Sequence, residues 1–198
     1  MHIKNETAHT IIIDKSEFIC YMNKVETEEE FKSYLQSIRK KHHDATHACS
    51  AFVSGNIKRS SDDGEPSGTA GAPMLNVLEK NNLDKTCAIV VRYFGGIKLG
   101  AGGLIRAYSS SVSETLKEAL IVEEVEYPKY ALTLPYDVAN KINYFLTNNT
   151  YDLYTEYSEN VYFEFALDSE SKIKTILEYT KGLMPVQIGT QKIEKIVK

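Results

Sequence analysis

Apolar residues near the start of the chain fall in two clusters, Ile11 to Ile13 and Phe18 to Met22, on either side of the polar Asp14-Lys15-Ser16-Glu17. Paired strands or one bent strand between His9 and Val25 fit this pattern. Thr27-Glu28-Glu29-Glu30 then reads as a capping box. Behind it Phe31, Tyr34, Leu35 and Ile38 recur at helical spacing, and Arg39, Lys40 and Lys41 complement the negative end of the helix dipole. His47 to Val53 reads as a short strand that turns at Ser54-Gly55-Asn56 and returns through Ile57 to Ser61. Asp62 to Pro73 is dense in Gly, Pro, Asp and Ser and predicts a loop. A short helix over Met74 to Leu78 follows, with Pro73 suited to its first position. Thr86 to Phe94 is β-branched and nearly continuous in apolar character, as in a central strand covered on both faces. Leu104 to Leu120 predicts a helix, with Leu104, Tyr108, Val112, Leu116 and Leu120 forming a stripe at intervals of four.

Patterning shifts near Val125. Tyr130 to Leu134 reads as a strand and Asp137 to Leu146 as a helix capped by its first Asp. Leu153 to Tyr157 and Val161 to Leu167 form a hairpin across Ser158-Glu159-Asn160. Ser171 to Tyr179 gives a second helix, ended near Gly182, and Val186 to Ile196 a last strand. The order β-α-β-β-α-β is the ferredoxin-like split motif. Glu123-Glu124-Val125-Glu126 reads as a charged, weakly patterned link, which places a boundary at Glu124 to Pro128. The expected domains are 1–125 and 128–198.

Composition narrows the class. Over 198 residues, 42% apolar side chains and 13 tyrosines supply a core, so a disordered tail is excluded. A net charge of −4 argues against non-specific electrostatic binding of nucleic acid by the whole chain, though it leaves room for a local basic surface. Cys20, Cys49 and Cys87 are odd in number and form no C-x-x-C pair, which points to reduced thiols rather than a disulfide framework. The first residues hold no long apolar run and no stretch approaches a membrane span, so a cytoplasmic protein with no membrane partner is expected.

The chemistry concentrates in VVRYFGGIKLGAGGLIRAYSSS, Val90 to Ser111. Five glycines (Gly95, Gly96, Gly100, Gly102 and Gly103) sit between a predicted strand and a predicted helix, a setting in which backbone amides and a helix N-terminus bind anions. Neither G-x-G-x-x-G nor G-x-x-x-x-G-K-[ST] matches. Charge supports the anion reading more than motif does: from Lys85 to Ser113 the only charged residues are Lys85, Arg92, Lys98 and Arg106. The alternative is structural, with glycines permitting tight turns and close helix-on-strand packing.

The acidic Asp62, Asp63 and Glu65 lack the alternating ligand spacing of a calcium loop. They suit a solvated turn, or they face the basic stretch and orient its cations through carboxylate pairing. No metal or cofactor is expected. Ser67 lies outside any G-x-S-x-G elbow and reads as a turn residue. His47, at the mouth of a strand, suits a general base, a phosphate ligand or a half-buried structural histidine, while His42, His43 and His47 lack metal-ligand geometry. Tyr151, Tyr154, Tyr157 and Tyr162 are explained by core packing and edge solubility, since no basic-aromatic string of the RNA-reading kind accompanies them.

HDATHACSAFVSG (His43–Gly55), SDDGEPSGTAGAPML (Ser61–Leu75) and VVRYFGGIKLGAGGLIRAYSSSV (Val90–Val112) together resemble the N-terminal domain of the IMPACT family. The ferredoxin-like remainder is similar to the second domain of bacterial, YigZ-type members. The resemblance implies an α+β protein. Its first domain would be an α/β sandwich of the ribosomal-protein and GHMP-kinase type, and its second would resemble the last domain of elongation factor G. It implies a place in translation; the positive glycine loop beside an elongation-factor-like module makes RNA or a ribosomal component the expected partner. Eukaryotic members act through an RWD module that this sequence does not contain, so their partner is not carried over.

From charge and glycine content, Arg92, Lys98 and Arg106 are expected to contact phosphates, with the five glycines letting backbone approach and Asp62, Asp63 and Glu65 orienting the cations. The alternative is an enzyme acting on a small phosphorylated or peptide substrate in the same cleft, using His47, Asp63 or Ser67.

Overall fold

The alternation of the first half builds one antiparallel sheet. The computed structural model describes residues 1–197, so Lys198, the last residue of the expected second domain, lies outside the described residues. The chain divides into two units, residues 1–123 with the chain end from Ile196, and Glu124–Lys195.

In the first unit β1 (His2–Ile3) is followed by β2 (Thr7–Ile13) and β3 (Ser16–Lys24), a hairpin whose turn residues Asp14 and Lys15 both have positive φ. Next come α1 (Glu28–Lys41), β4 (His47–Ser54), β5 (Ile57–Ser61), α2 (Gly71–Lys80), β6 (Thr86–Tyr93) and α3 (Gly100–Glu118). The strands pair in the order β2-β3-β6-β4-β5, antiparallel throughout. Alternation along β6 divides the core. Ala88 and Val90 face α2 and α3, among Phe18, Met22, Met74, Leu78, Tyr108 and Val112; Ile89 and Val91 face α1. Each of the larger aliphatic, Phe and Met side chains among them, fully buried, contributes about 1.5–3 kcal/mol. The strand is therefore covered on both faces, as its continuous apolar run predicts.

Helix ends differ from local expectation where distant groups cap them. At α1, Thr27 Oγ1 accepts from the Glu30 N–H at 3.2 Å, while the Glu30 carboxylate reaches the Glu26 N–H at 2.7 Å, one residue before the cap. Helix α2 begins at Gly71 rather than Met74, which moves Pro73 to the third position. The cause is Asp62: its Oδ1 accepts from the Ala70 and Gly71 N–H groups at 2.9 and 2.8 Å, a cap from eight and nine residues upstream. Helix α3 begins at Gly100 rather than Leu104, which brings Gly100, Gly102 and Gly103 into its first turn, and it ends at Glu118, leaving Leu120 exposed.

Strand β7 (Ile121–Leu134) corrects the reading of residues 123–126 as a link, because the glutamates lie within a continuous strand. Ile121 and Val122 pair with Ile3 and His2 in the first unit. The second unit continues with α4 (Tyr136–Asn149), β8 (Tyr151–Tyr157), β9 (Val161–Ala166), α5 (Ser171–Tyr179) and β10 (Val186–Ile196). Pro135, not Asp137, stands at the α4 cap, and Asp137 falls in the first turn. The strand order β10-β7-β9-β8 is ferredoxin-like. Leu132, Leu134, Ile142, Leu146, Phe163, Phe165 and Ile176 make its core. Tyr154 and Tyr157 are exposed, so the core belongs to the residues that alternate with the hairpin tyrosines. Among the described residues, no helix is long and apolar enough to cross a membrane.

Candidate functional site

Antiparallel pairing sets the first row of the site. Arg92 on β6 lies opposite Phe18 on β3 and His47 on β4, so the three share one sheet face, under α3. Arg92 is 5% exposed. A buried guanidinium requires a carboxylate, and Glu65 supplies it: Arg92 Nη1 donates to Glu65 Oε1 at 2.6 Å, while Nη2 reaches Ser16 Oγ at 3.3 Å. Tyr108, from α3, donates its hydroxyl to the same Glu65 oxygen at 2.8 Å. Burial, with Cys49 and Glu65 beside it, holds the Tyr108 hydroxyl well above the usual phenol range and so in its neutral, donating form. Among the described residues the buried Arg92 Nε–H has no acceptor.

His47 completes the cluster. Its Nδ1 lies 2.8 Å from the Asp63 carbonyl oxygen, which can only accept, so Nδ1 carries a proton and Nε2 is turned to Glu65 Oε1, 3.9 Å away. His47, Glu65 and Arg92 line a cavity of about 460 Å³, within the range of about 300–1,000 Å³ typical of small-ligand pockets. Its inner wall is Arg92, Glu65 and Leu104, all buried, and its rim includes Phe94, Lys98, Gly100 and Ala101, all exposed. The start of α3 borders the cavity with no side chain capping it. Its first N–H groups have no intrahelical acceptor and carry the positive end of the helix dipole.

The cavity gathers some of the residues singled out in the sequence and leaves others aside. Arg92, Lys98, Gly100, His47 and Glu65 line it. Arg106 is exposed one turn into α3, its Nη1 3.6 Å from where a Cβ on Gly102 would lie, so it runs back along the first turn without lining the cavity. Gly95 has a packing role: a Cβ there would sit 2.0 Å from the Lys15 carbonyl carbon, in the β2–β3 turn. Gly100, at φ +67°, makes the left-handed step into the helix. Gly96 is exposed, and Gly102 and Gly103 lie within the first turn of α3.

Of the three acids, Glu65 alone reaches a cation of this set. Burial raises the Asp62 carboxyl, but N–H bonds from Gly68, Gly71 and Ala70 outweigh it and hold the group below the usual carboxylate range. Asp63 pairs with Arg39 at 2.5 Å and accepts from the Ala48 N–H at 2.7 Å. Ser67 is exposed and outside the cavity wall. All three cysteines are buried; desolvation pushes the Cys20 and Cys49 thiols up to about 12.

Sequence reasoning passed over Tyr108, Ser16 and Phe94. Tyr108 carries no local signal, because its place in an apolar stripe is what a core residue shows and its hydroxyl partner lies 43 residues away.

The comparisons with known proteins agree with this architecture. The family model described as the Impact N-terminal domain matches residues 14–116, which contain every residue lining the cavity. The IMPACT family member YvyE of Bacillus subtilis (strain 168) is 50% identical over 194 residues, 94% of this chain and 89% of the relative. The IMPACT family member YigZ of Escherichia coli (strain K12) is 40% identical over 129 residues, 63% of each chain. A solved structure described as that of a hypothetical protein matches across the whole chain and 96% of its own, at 28% identity and a TM-score of 0.61. The chain belongs to the IMPACT family.

Proposed function

We propose that this protein is a translation-associated regulator that binds RNA at the α3 end of the cavity. The translation role rests on the likeness to the IMPACT family. The binding mode rests on one observation: a cavity with buried Arg92 in its wall and exposed Lys98 at its rim is bordered by an uncapped helix start. Glu65 balances the charge of Arg92. Lys98, which has no carboxylate partner among the described residues, and the α3 amides leave the mouth positive. Arg106 extends that field along the first turn. Phosphates supply the complementary charge, and their contacts dominate RNA affinity.

A salt titration of single-stranded RNA binding tests this. Lys98→Ala and Arg106→Ala should each shallow the log–log slope by about 0.7 for the phosphate contact removed. Slopes equal to that of the unmodified protein overturn the reading. Co-sedimentation with ribosomes of the Lys98/Arg106 double alanine variant, beside the unmodified protein, tests whether the partner is ribosomal. Arg92 is left out because its removal strands Glu65 in the core. A catalytic reading of the same cavity keeps only His47, since Asp63 and Ser67 are not in its wall.

A further inference from the structure

We infer that the cavity receives the phosphorylated end of an RNA chain, its terminal phosphate at the start of α3 and its last base on Phe94. This rests on the RNA reading above and names the part of the ligand that enters.

Three observations carry it. The cavity is backed by buried side chains, Arg92 and Leu104 at 5% exposed and Glu65 at 8%. An internal phosphate continues as ester chain on both sides and needs an open channel; a terminal one needs entry from one side only. A terminal phosphate also carries a charge of about −1.5 to −2 near neutral pH, more than an internal diester. That suits Lys98 and the uncapped helix amides, with the buried Arg92 guanidinium behind them in the wall. At the mouth, the Phe94 ring is 47% exposed and so open to a ligand. Its backbone N–H is fixed to Thr46 Oγ1 at 3.1 Å, and its ring lies 5.4 Å from the Arg92 guanidinium carbon. A ring held over a phosphate site offers a nucleobase a stacking face without reading its sequence.

The experiment is a binding titration of the full chain with one RNA 12-mer in three forms, bearing a 5′-phosphate, a 3′-phosphate or hydroxyls at both ends. One phosphorylated form should bind at least about tenfold more tightly than the hydroxyl form, the effect of one or two charge-assisted hydrogen bonds. Which form wins identifies the end. Lys98→Ala should erase the preference, and Phe94→Ala should weaken the preferred form by roughly 5- to 150-fold while thermal unfolding is unchanged. Equal affinity for all three forms, with salt dependence retained, overturns this inference and leaves the RNA reading standing. If no RNA binds, titration with a nucleoside monophosphate decides. Binding that is lost in Lys98→Ala and Phe94→Ala supports a phosphate-and-base pocket while the RNA reading fails. Absence of binding overturns both.

Discussion

Consecutive residues of β6 send two polar side chains to opposite faces of the sheet, and the two networks they enter differ in one respect. On the α1 face, Tyr93 belongs to a closed chain. His42 Nε2 lies 2.8 Å from the Tyr21 hydroxyl, its Nδ1 lies 2.9 Å from the Tyr93 hydroxyl, and Tyr93 donates to Asp44 at 3.2 Å. Since Tyr93 gives its proton to Asp44, it accepts from Nδ1–H, and Tyr21 donates to Nε2; every member has a partner. On the α3 face, Arg92 has Glu65 and Ser16, and a cavity of about 460 Å³ adjoins the cluster. Both clusters mix aromatic, histidine and carboxylate groups. The adjoining open space, rather than residue type, distinguishes a candidate site from a structural network.

The largest effect that tests this difference is at Glu65. Glu65→Ala leaves Arg92 charged and unpaired in the core, and should cost about 3–5 kcal/mol in urea unfolding. The pair replacement Glu65→Leu with Arg92→Met should cost less than the single change, because no charge is stranded. A double variant worse than Glu65→Ala would mean that the pair itself stabilises the fold. Asp62→Ala comes next, at about 2 kcal/mol, with faster hydrogen exchange at Gly68, Ala70 and Gly71, whose N–H groups lose their acceptor. The pH dependence has a definite sign. Asp62 is held below its unfolded value, so its contribution is present above about pH 4 and is lost as pH falls through the folded value.

On the closed side, Tyr93→Phe removes a donor to Asp44 and an acceptor for His42. It should cost about 1 kcal/mol and leave RNA titrations unmoved; weakened binding would show that the two faces are not independent. The smallest effect is at His42. Burial, with Lys41 adding to it, lowers its folded pKa below the usual histidine value. The unfolded chain therefore binds the proton more readily, and stability rises with pH across the window below about 6.5, reaching its full value above it. His42→Gln should flatten that rise in urea midpoints measured from pH 5 to 7.5. A slope identical to that of the unmodified protein would place its origin elsewhere.

Much of the secondary structure was legible because its causes are local. The α1 cap lies three residues from its partner, the β6 run is apolar without a break, and the Ser171–Tyr179 helix and Val186–Ile196 strand fall within the bounds that periodicity gives. Two of the differences have a distant cause. The start of α2 depends on a carboxylate eight and nine residues upstream, and the glutamate-rich stretch at 123–126 is extended as part of β7, whose flanking residues pair with partners far along the chain. Neither leaves a mark in a short window.

The candidate site divides in the same way. The sequence alone determined the family, the two sheet-forming regions and the cluster of glycines and cations around Lys98, because composition and spacing record these directly. Tertiary structure decided which of those cations is buried, that Glu65 rather than Asp62 or Asp63 faces it, that Tyr108 holds Glu65 and that Phe94 lines the cavity. Arg92, Phe18 and His47 meet only through strand register, and Tyr108 reaches Glu65 only once α3 packs on the sheet. Charge and periodicity are properties of neighbours in the chain, whereas desolvation and an unfilled donor depend on neighbours in space.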